Sequence, residues 1–292
     1  MRTAPSHQHL VRIRDYDLAA TLASGQAFRW REINGAWEGV IDHRWVRLEQ
    51  TKDGIAAKTV EPTCDWSWLE HYLQTDINLA SVLHSFPDDE PMRAAVSAYR
   101  GLRLLRQDPW ECLASFILSS TKQIVQIQQI VALLCERFGE PLRVPAGHSP
   151  VFSFPSAERL AACAEQDLRG CKMGFRAPNL LRTAKMIIAG EVNLSGLHSR
   201  RVEEAREELL KLPGVGNKIA NCVLLFAYGF QQAFPVDVWV MKALRELYFP
   251  KRRVGAKRLA RFTATHFGAN AGYAQQYLFH YMRTRQRTRS FH

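Results

Sequence analysis

The sequence has no run of about 18 consecutive apolar residues, so no transmembrane helix is expected. Residues 1–14 are polar and carry His and Arg without the apolar core of a signal peptide, so secretion is not expected either. None of the six cysteines (Cys64, Cys112, Cys135, Cys163, Cys171, Cys222) belongs to a CxxC pair, and most stand in apolar helical contexts where a free thiol behaves as a small hydrophobe. That pattern argues against zinc or an iron–sulfur cluster. It also points to a reducing compartment, the cytoplasm or nucleoid of a bacterium or the nucleus of a eukaryote. Glycine and proline are sparse, 17 and 13 in 292 residues, while 47% of the chain is hydrophobic, which excludes global disorder and supplies a core. The chain contains no internal repeat and no low-complexity segment.

Acid is in short supply. The 28 Asp and Glu face 39 Lys and Arg, for a formal net charge of +11. Between residues 242 and 261 stand eight cations (Lys242, Arg245, Lys251, Arg252, Arg253, Lys257, Arg258, Arg261) and one acid, Glu246; residues 281–292 add four arginines and no acid. A solvated face and a disordered tail would account for either segment alone. A polyanion partner is favoured only if a second signal agrees.

Segments 9–14, 27–31, 36–41, 44–49 and 55–60 alternate apolar and polar residues, with turn signals at Asn34-Gly35, Asp42-His43 and Asp53-Gly54. They predict an antiparallel sheet. From Asp65 the period becomes helical, through Trp66, Leu69, Tyr72 and Leu73, and stays so beyond Asp89. Asp108-Pro109-Trp110-Glu111 reads as a helix start in which Asp108 caps and Glu111 reaches back to the cap backbone. The expected class is α+β, with a sheet domain over residues 1–88 and a helical domain over 89–292 that ends in a basic tail. Residues 140–155, rich in proline, form a loop within the helical part.

Leu212-Pro213-Gly214-Val215-Gly216-Asn217-Lys218 lies between two helical patterns. Gly214 and Gly216 permit unusual backbone conformations and close approach, and the following helix offers free N–H groups, so the hairpin is an anion seat able to hold a DNA phosphate without reading sequence. With the basic C-terminal third it raises nucleic acid above other partners; a purely structural turn is the bland alternative. Lys218 stands where the helix dipole disfavours a cation. Its plain reading is a solvated or phosphate-contacting lysine, and the sharper one is an amine nucleophile that attacks a sugar C1′ to form a Schiff base. Nineteen residues on, Pro235-Val236-Asp237 places Asp237 as the cap of another helix, a position that keeps a carboxylate ionised and compatible with catalysis.

These residues resemble the helix–hairpin–helix, Gly/Pro-Asp superfamily of DNA base-excision glycosylases, and within it the 8-oxoguanine DNA glycosylase family. Further similarity lies in Ala23-Ser24-Gly25-Gln26-Ala27-Phe28-Arg29-Trp30, in Leu102-Arg103-Leu104-Leu105-Arg106-Gln107-Asp108-Pro109 and in Ala271-Gly272-Tyr273-Ala274-Gln275 with Phe279. The resemblance implies a sheet domain packed on a larger helical glycosylase domain. It implies excision of 8-oxoguanine from double-stranded DNA with AP-lyase activity. A monomer is expected, since nothing in the sequence suggests a coiled coil or repeat. Lys218 would be the nucleophile, and Asp237 the carboxylate that assists bond cleavage. Gly25 would offer its carbonyl to the N7 hydrogen of the damaged base, a contact that discriminates against guanine by about 1–3 kcal/mol. Gln275 would read the base edge between the faces of Phe279 and Cys222. Gly214, Val215, Gly216 and Thr121 would contact DNA, with Phe175 as the intercalating wedge and Arg176 directed at the orphaned base. No metal or cofactor is required for the chemistry, although a monovalent cation at the hairpin carbonyls is implied.

The chain departs from that family in three places. Thr121 stands for an asparagine and Gln126 for an arginine that help recognise the opposite cytosine, which predicts weakened opposite-base selectivity. Trp239 stands for a histidine near the DNA backbone. Two rivals remain on sequence alone: a glycosylase for another damaged purine, and a non-catalytic binder of distorted DNA.

Overall fold

The computed structural model describes residues 6–250 and 254–289, so Lys251, Arg252 and Arg253 of the basic segment lie outside the described residues. Five strands form one antiparallel sheet: β1 (Ser6–Arg12), β2 (Arg31–Ile33), β3 (Ala36–Ile41), β4 (Arg44–Thr51) and β5 (Gly54–Thr63), in the order β1-β5-β4-β3-β2. The hairpin signals hold in place: Ile33 pairs with Ala36 across Asn34-Gly35, and Ile41 with Arg44 across Asp42-His43. Alternation buries one face, with Val46, Leu48, Ile55 and Ala57 directed into the sheet core.

Segment 27–31 departs from expectation. Only Arg31 enters β2, because Ala27, Phe28 and Trp30 are all buried and cannot share a one-sided strand. Phe28 meets Phe116 edge-on at 5.4 Å, whereas Trp30 Nε1 donates to the Tyr72 hydroxyl at 2.8 Å, so the segment bridges two cores. A short helix, α1 (Leu18–Ala23), precedes it, capped by Asp17 accepting from the Ala20 N–H at 2.8 Å. Six residues are too few to reveal a helical period, so pattern alone misses it.

The rest of the described chain is helical: α2 (Ser67–Leu73), α3 (Leu79–His84), α4 (Glu90–Ala98), α5 (Pro109–Leu118), α6 (Ile124–Phe138), α7 (Ala157–Ala161), α8 (Glu165–Arg169), α9 (Ala177–Ile188), α10 (Val202–Leu210), α11 (Asn217–Val223), α12 (Val238–Ala243), α13 (Ala256–His266) and α14 (Ala271–Arg289). Both α11 and α12 run on into π-helical turns, Leu224–Tyr228 and Leu244–Tyr248. Asp108 caps α5 as expected, accepting from the Glu111 N–H at 2.8 Å. Glu111 does not reach back to the cap. It is drawn instead to the buried Arg29 guanidinium, 3.3 Å away, since a buried carboxylate needs a counter-charge more than the cap needs a second acceptor. The arginines from Arg283 to Arg289 fall within α14, Arg283 is buried, and residues 290–292 lie outside the described residues.

Residues 101–107 thread between the two cores without regular structure. Arg103 N–H donates to Thr21, Leu105 N–H to Gln26, Arg106 N–H to the Tyr72 carbonyl and Gln107 N–H to the Phe226 carbonyl. Leu105 packs in the sheet core, while Leu102 and Leu104 pack in the helical one.

On β3, Gly39 lies beneath Trp30, and a Cβ there would come within 2.5–2.9 Å of the indole ring. Trp30 is 2% exposed and cannot retreat. Gly39→Ala is expected to destabilise the fold by about 1–3 kcal/mol through overpacking. Urea unfolding followed by tryptophan fluorescence checks this, and an unchanged midpoint would refute the crowding.

Candidate active site

A cavity of about 860 Å³ opens where the loop after α1, the α5–α6 loop, the α10–α11 hairpin, the start of α12 and the middle of α14 converge. Among the sequence-predicted residues it gathers Gly25, Thr121, Gly214, Gly216, Lys218, Cys222, Asp237, Gln275 and Phe279. These come from positions as far apart as 25 and 279, and the fold alone brings them together.

Lys218 occupies the first turn of α11, and its Nζ donates to Ser119 Oγ at 3.0 Å while lying 5.3 Å from the centre of the Phe116 ring. Ser119 ends α5 and passes its own proton to the Phe116 carbonyl at 2.7 Å, which leaves its oxygen free to accept from the amine. Sequence reasoning assigned Ser119 no role. The signal available was its place in the Ser-Ser pair that closes a helix beside the polar loop. Cys222, one turn after Lys218, is 3% exposed, and burial pushes its thiol up to about 12, against a weaker downward pull from Lys218. It is a neutral, apolar wall at ordinary pH.

Asp237 caps α12, accepting from the N–H groups of Trp239 at 2.9 Å and Val240 at 2.8 Å. The cap bonds favour the ionised form, as expected, and burial works against them. Burial raises its pKa above the usual carboxylate value, and the cap bonds and Lys218 only partly offset that. A carboxylate so placed is a stronger base toward a neighbouring ammonium.

Gln275 is 3% exposed, and its Oε1 is buried with no hydrogen-bond partner among the described residues, although the side chain lines the cavity. An orphaned acceptor costs about 1–3 kcal/mol, which a ligand donor in the cavity would recover. Phe279 lies near Gly25: a Cβ built on Gly25 would stand 3.5 Å from the Phe279 ring and 2.5 Å from Ile124 Cδ1. With φ at +77°, Gly25 adopts a backbone conformation other residues resist. Trp239 lines the same cavity, half-buried.

In the hairpin only Gly214 has a positive φ, +76°, and a Cβ there would collide with Asn179. Gly216 is extended, with open space where a side chain would stand, so close approach rather than dihedral freedom is what its lack of a side chain provides. Val215 is 7% exposed and packs in the helical core, so only its backbone can meet a ligand.

Phe175 and Arg176 are not part of the cavity lining. Phe175 is 61% exposed rather than packed in the core. Arg176, expected to be directed at the orphaned base, is tucked in: it donates to the Ser120 carbonyl, to Thr121 Oγ1 at 2.5 Å and to the Met173 carbonyl at 3.2 Å. Thr121 holds a left-handed conformation, φ +57°, at this seam. Gln126 is used locally, its Oε1 accepting from the Gln123 N–H at 3.1 Å to cap α6. No three His, Cys, Asp or Glu side chains converge to hold a metal among the described residues, and no helix there is long and apolar enough to cross a membrane.

Comparison with known proteins matches residues 10–113 to the N-terminal domain of 8-oxoguanine DNA glycosylase and residues 114–265 to the HhH-GPD superfamily of base excision DNA repair proteins. The chain is 31% identical to an N-glycosylase/DNA lyase OGG1 of Arabidopsis thaliana, over 90% of this chain and 76% of that one. Among solved structures, MBOgg1 in complex with a low-affinity DNA ligand superposes with a TM-score of 0.92 at 32% identity, covering 97% of this chain and 98% of that one. A Clostridium acetobutylicum 8-oxoguanine glycosylase/lyase, bound to double-stranded DNA with cytosine opposite 8-oxoG, superposes at 0.87 and 32% identity, covering 93% of each chain.

The raised pKa of Asp237 sets a stability prediction. The folded state holds the Asp237 proton more tightly than the unfolded chain, so this group makes stability fall as pH rises from the ordinary carboxylate value through the raised one. Asp237→Asn keeps a cap acceptor and removes the buried charge. Its melting temperature relative to the parent is expected to rise across that pH window and level off above it, as thermal unfolding from pH 4 to 8 would show; a constant difference would refute it.

Proposed function

The chain belongs to the HhH-GPD superfamily of base excision DNA repair proteins, and from that premise we propose that it is a monomeric bifunctional DNA glycosylase and AP lyase that excises 8-oxoguanine from double-stranded DNA. The observation that carries the reading is the convergence of the Lys218 amine and the Asp237 carboxylate on one cavity with the orphaned Gln275 acceptor. A silent binder of distorted DNA has no use for that combination. The base presents N–H donors that would satisfy Gln275, with Cys222 and Phe279 against its ring faces.

The Lys218 amine adds to C1′ as the glycosidic bond breaks, and the bonding pair leaves with the base, which takes up a proton. Asp237 receives the proton that the amine sheds and offsets positive charge developing on the sugar. The sugar ring opens to an imine as the C1′–O4′ bonding pair leaves with O4′, which takes up a proton, and loss of a C2′ proton then expels the 3′ phosphate by β-elimination. The Gly214–Gly216 backbone would hold a phosphate beside the site. Phe175 would fill the gap left by the extruded nucleotide, and Arg176 would leave its tucked position to meet the orphaned base. A monovalent cation suits the Val215 carbonyl, which meets no donor among the described residues, and it would serve phosphate binding alone.

Borohydride trapping on duplex DNA with one 8-oxoguanine opposite cytosine tests the chemistry. A lesion-dependent crosslink is expected with the parent enzyme and none with Lys218→Gln. A crosslink that survives in the variant, or none in either, would overturn the assignment. Single-turnover cleavage opposite C, A, G and T tests the replaced readers, Thr121 and Gln126. Similar rates are expected opposite all four, and a strong preference for C would reject that reading.

A further inference from the structure

The loop that carries Gly25 is held by buried side chains. Gln26 is fully buried, and its Nε2 donates toward the Thr21 carbonyl at 3.0 Å, Ser24 Oγ at 3.0 Å and the Arg103 carbonyl at 2.9 Å. Its Oε1 accepts from the Leu105 N–H at 2.7 Å. Every polar atom of one carboxamide is thus engaged, tying the end of α1 to the extended 101–107 segment.

The backbone carbonyls around Gly25 are also engaged. Arg283 donates to the Ala23 carbonyl at 2.5 Å, Gln276 to the Ser24 carbonyl at 3.1 Å and Gln107 to the Gln26 carbonyl at 2.7 Å. Among the described residues no donor meets the Gly25 carbonyl. Of four consecutive acceptors three are satisfied, and the free one belongs to the residue that lines the cavity.

We propose that Gln26 is a positioning residue for lesion recognition, whose carboxamide, supported by Gln107, Gln276 and Arg283, fixes the loop so that the Gly25 carbonyl is its one unclaimed acceptor. The proposal rests on the reading in which that carbonyl meets the N7 hydrogen of 8-oxoguanine. A mobile carbonyl could swing away from a base without that hydrogen and take a water instead, which would erase the penalty. One that cannot retreat sets its lone pair against the lone pair of an unprotonated N7, so rigidity turns a missing bond into a repulsion. Gln26 acts through Gly25 and touches no substrate itself.

The test compares binding to duplexes that carry 8-oxoguanine or 8-methoxyguanine, whose N7 bears no hydrogen, in a cleavage-silent Lys218→Gln background. Gln26→Leu and Gln276→Leu are added singly, and lyase rates on a preformed abasic site are measured for both in the active enzyme. The silent parent should bind 8-oxoguanine at least tenfold more tightly, and Gln26→Leu should narrow that ratio fivefold or more with the lyase rate changed less than twofold. Gln276→Leu should narrow it to a lesser degree, and it carries the test if Gln26→Leu fails to fold. An unchanged ratio in the folded variants overturns the proposal, and so does a parallel loss of discrimination and lyase activity, which marks a merely structural role. No discrimination by the parent removes the Gly25 contact itself, a failure separable from the other two.

Discussion

A buried strip of backbone without regular structure must have each of its N–H and C=O groups met by something else, and the 101–107 segment imposes that demand at the centre of this molecule. Its partners come from Asp17 and Thr21 at α1, Gln26 after it, Tyr72 in α2, the π-helical turn after α11 and Tyr277 in α14. Satisfying one segment therefore fixes the distances between the sheet side, the lysine-bearing helix and the helix that carries Gln275 and Phe279. The cavity is the space left when those obligations are met, and its precision is inherited from hydrogen bonds that do not themselves touch it.

Within the cavity the balance of charge is set mostly by removal from water. Asp237 is pushed toward its neutral form although it caps a helix and faces an ammonium, and the Cys222 thiol is driven well above any pH at which it could act as a nucleophile. The two neighbours of Lys218 thus differ, one a carboxylate whose pKa burial raises and the other a thiol that stays neutral at ordinary pH. The lysine itself leans on a hydroxyl and an aromatic ring.

Much of this was legible in the sequence because it rests on local rules. Alternation and Asn34-Gly35 placed the sheet, Asp108-Pro109 placed the start of α5, and the glycines around Val215 placed the hairpin. What could not be read depends on partners far along the chain. Segment 27–31 has the composition of a strand, but Phe28 and Trp30 are claimed by different cores. Glu111 sits where a capping box would use it, but Arg29, 82 positions away, has the stronger claim. Arg176 follows a residue read as a DNA wedge, and nothing near it in sequence shows that Ser120 and Thr121 come within its reach. The roles of Ser119 and Gln26 stayed hidden because single polar residues of ordinary type carry no pattern.

The tucked Arg176 has an electrostatic consequence. Its guanidinium is surrounded by neutral oxygens and the Phe175 ring, 4.2 Å away, and no carboxylate forms an ion pair with it among the described residues. A buried cation without a counter-ion projects its field through low-dielectric surroundings instead of cancelling it at close range. The seam between the two loops is therefore a source of positive potential even while both terminal nitrogens of the guanidinium are occupied. It can draw in a polyanion at a distance without offering that polyanion a hydrogen bond, so attraction and recognition are separate properties of the same side chain.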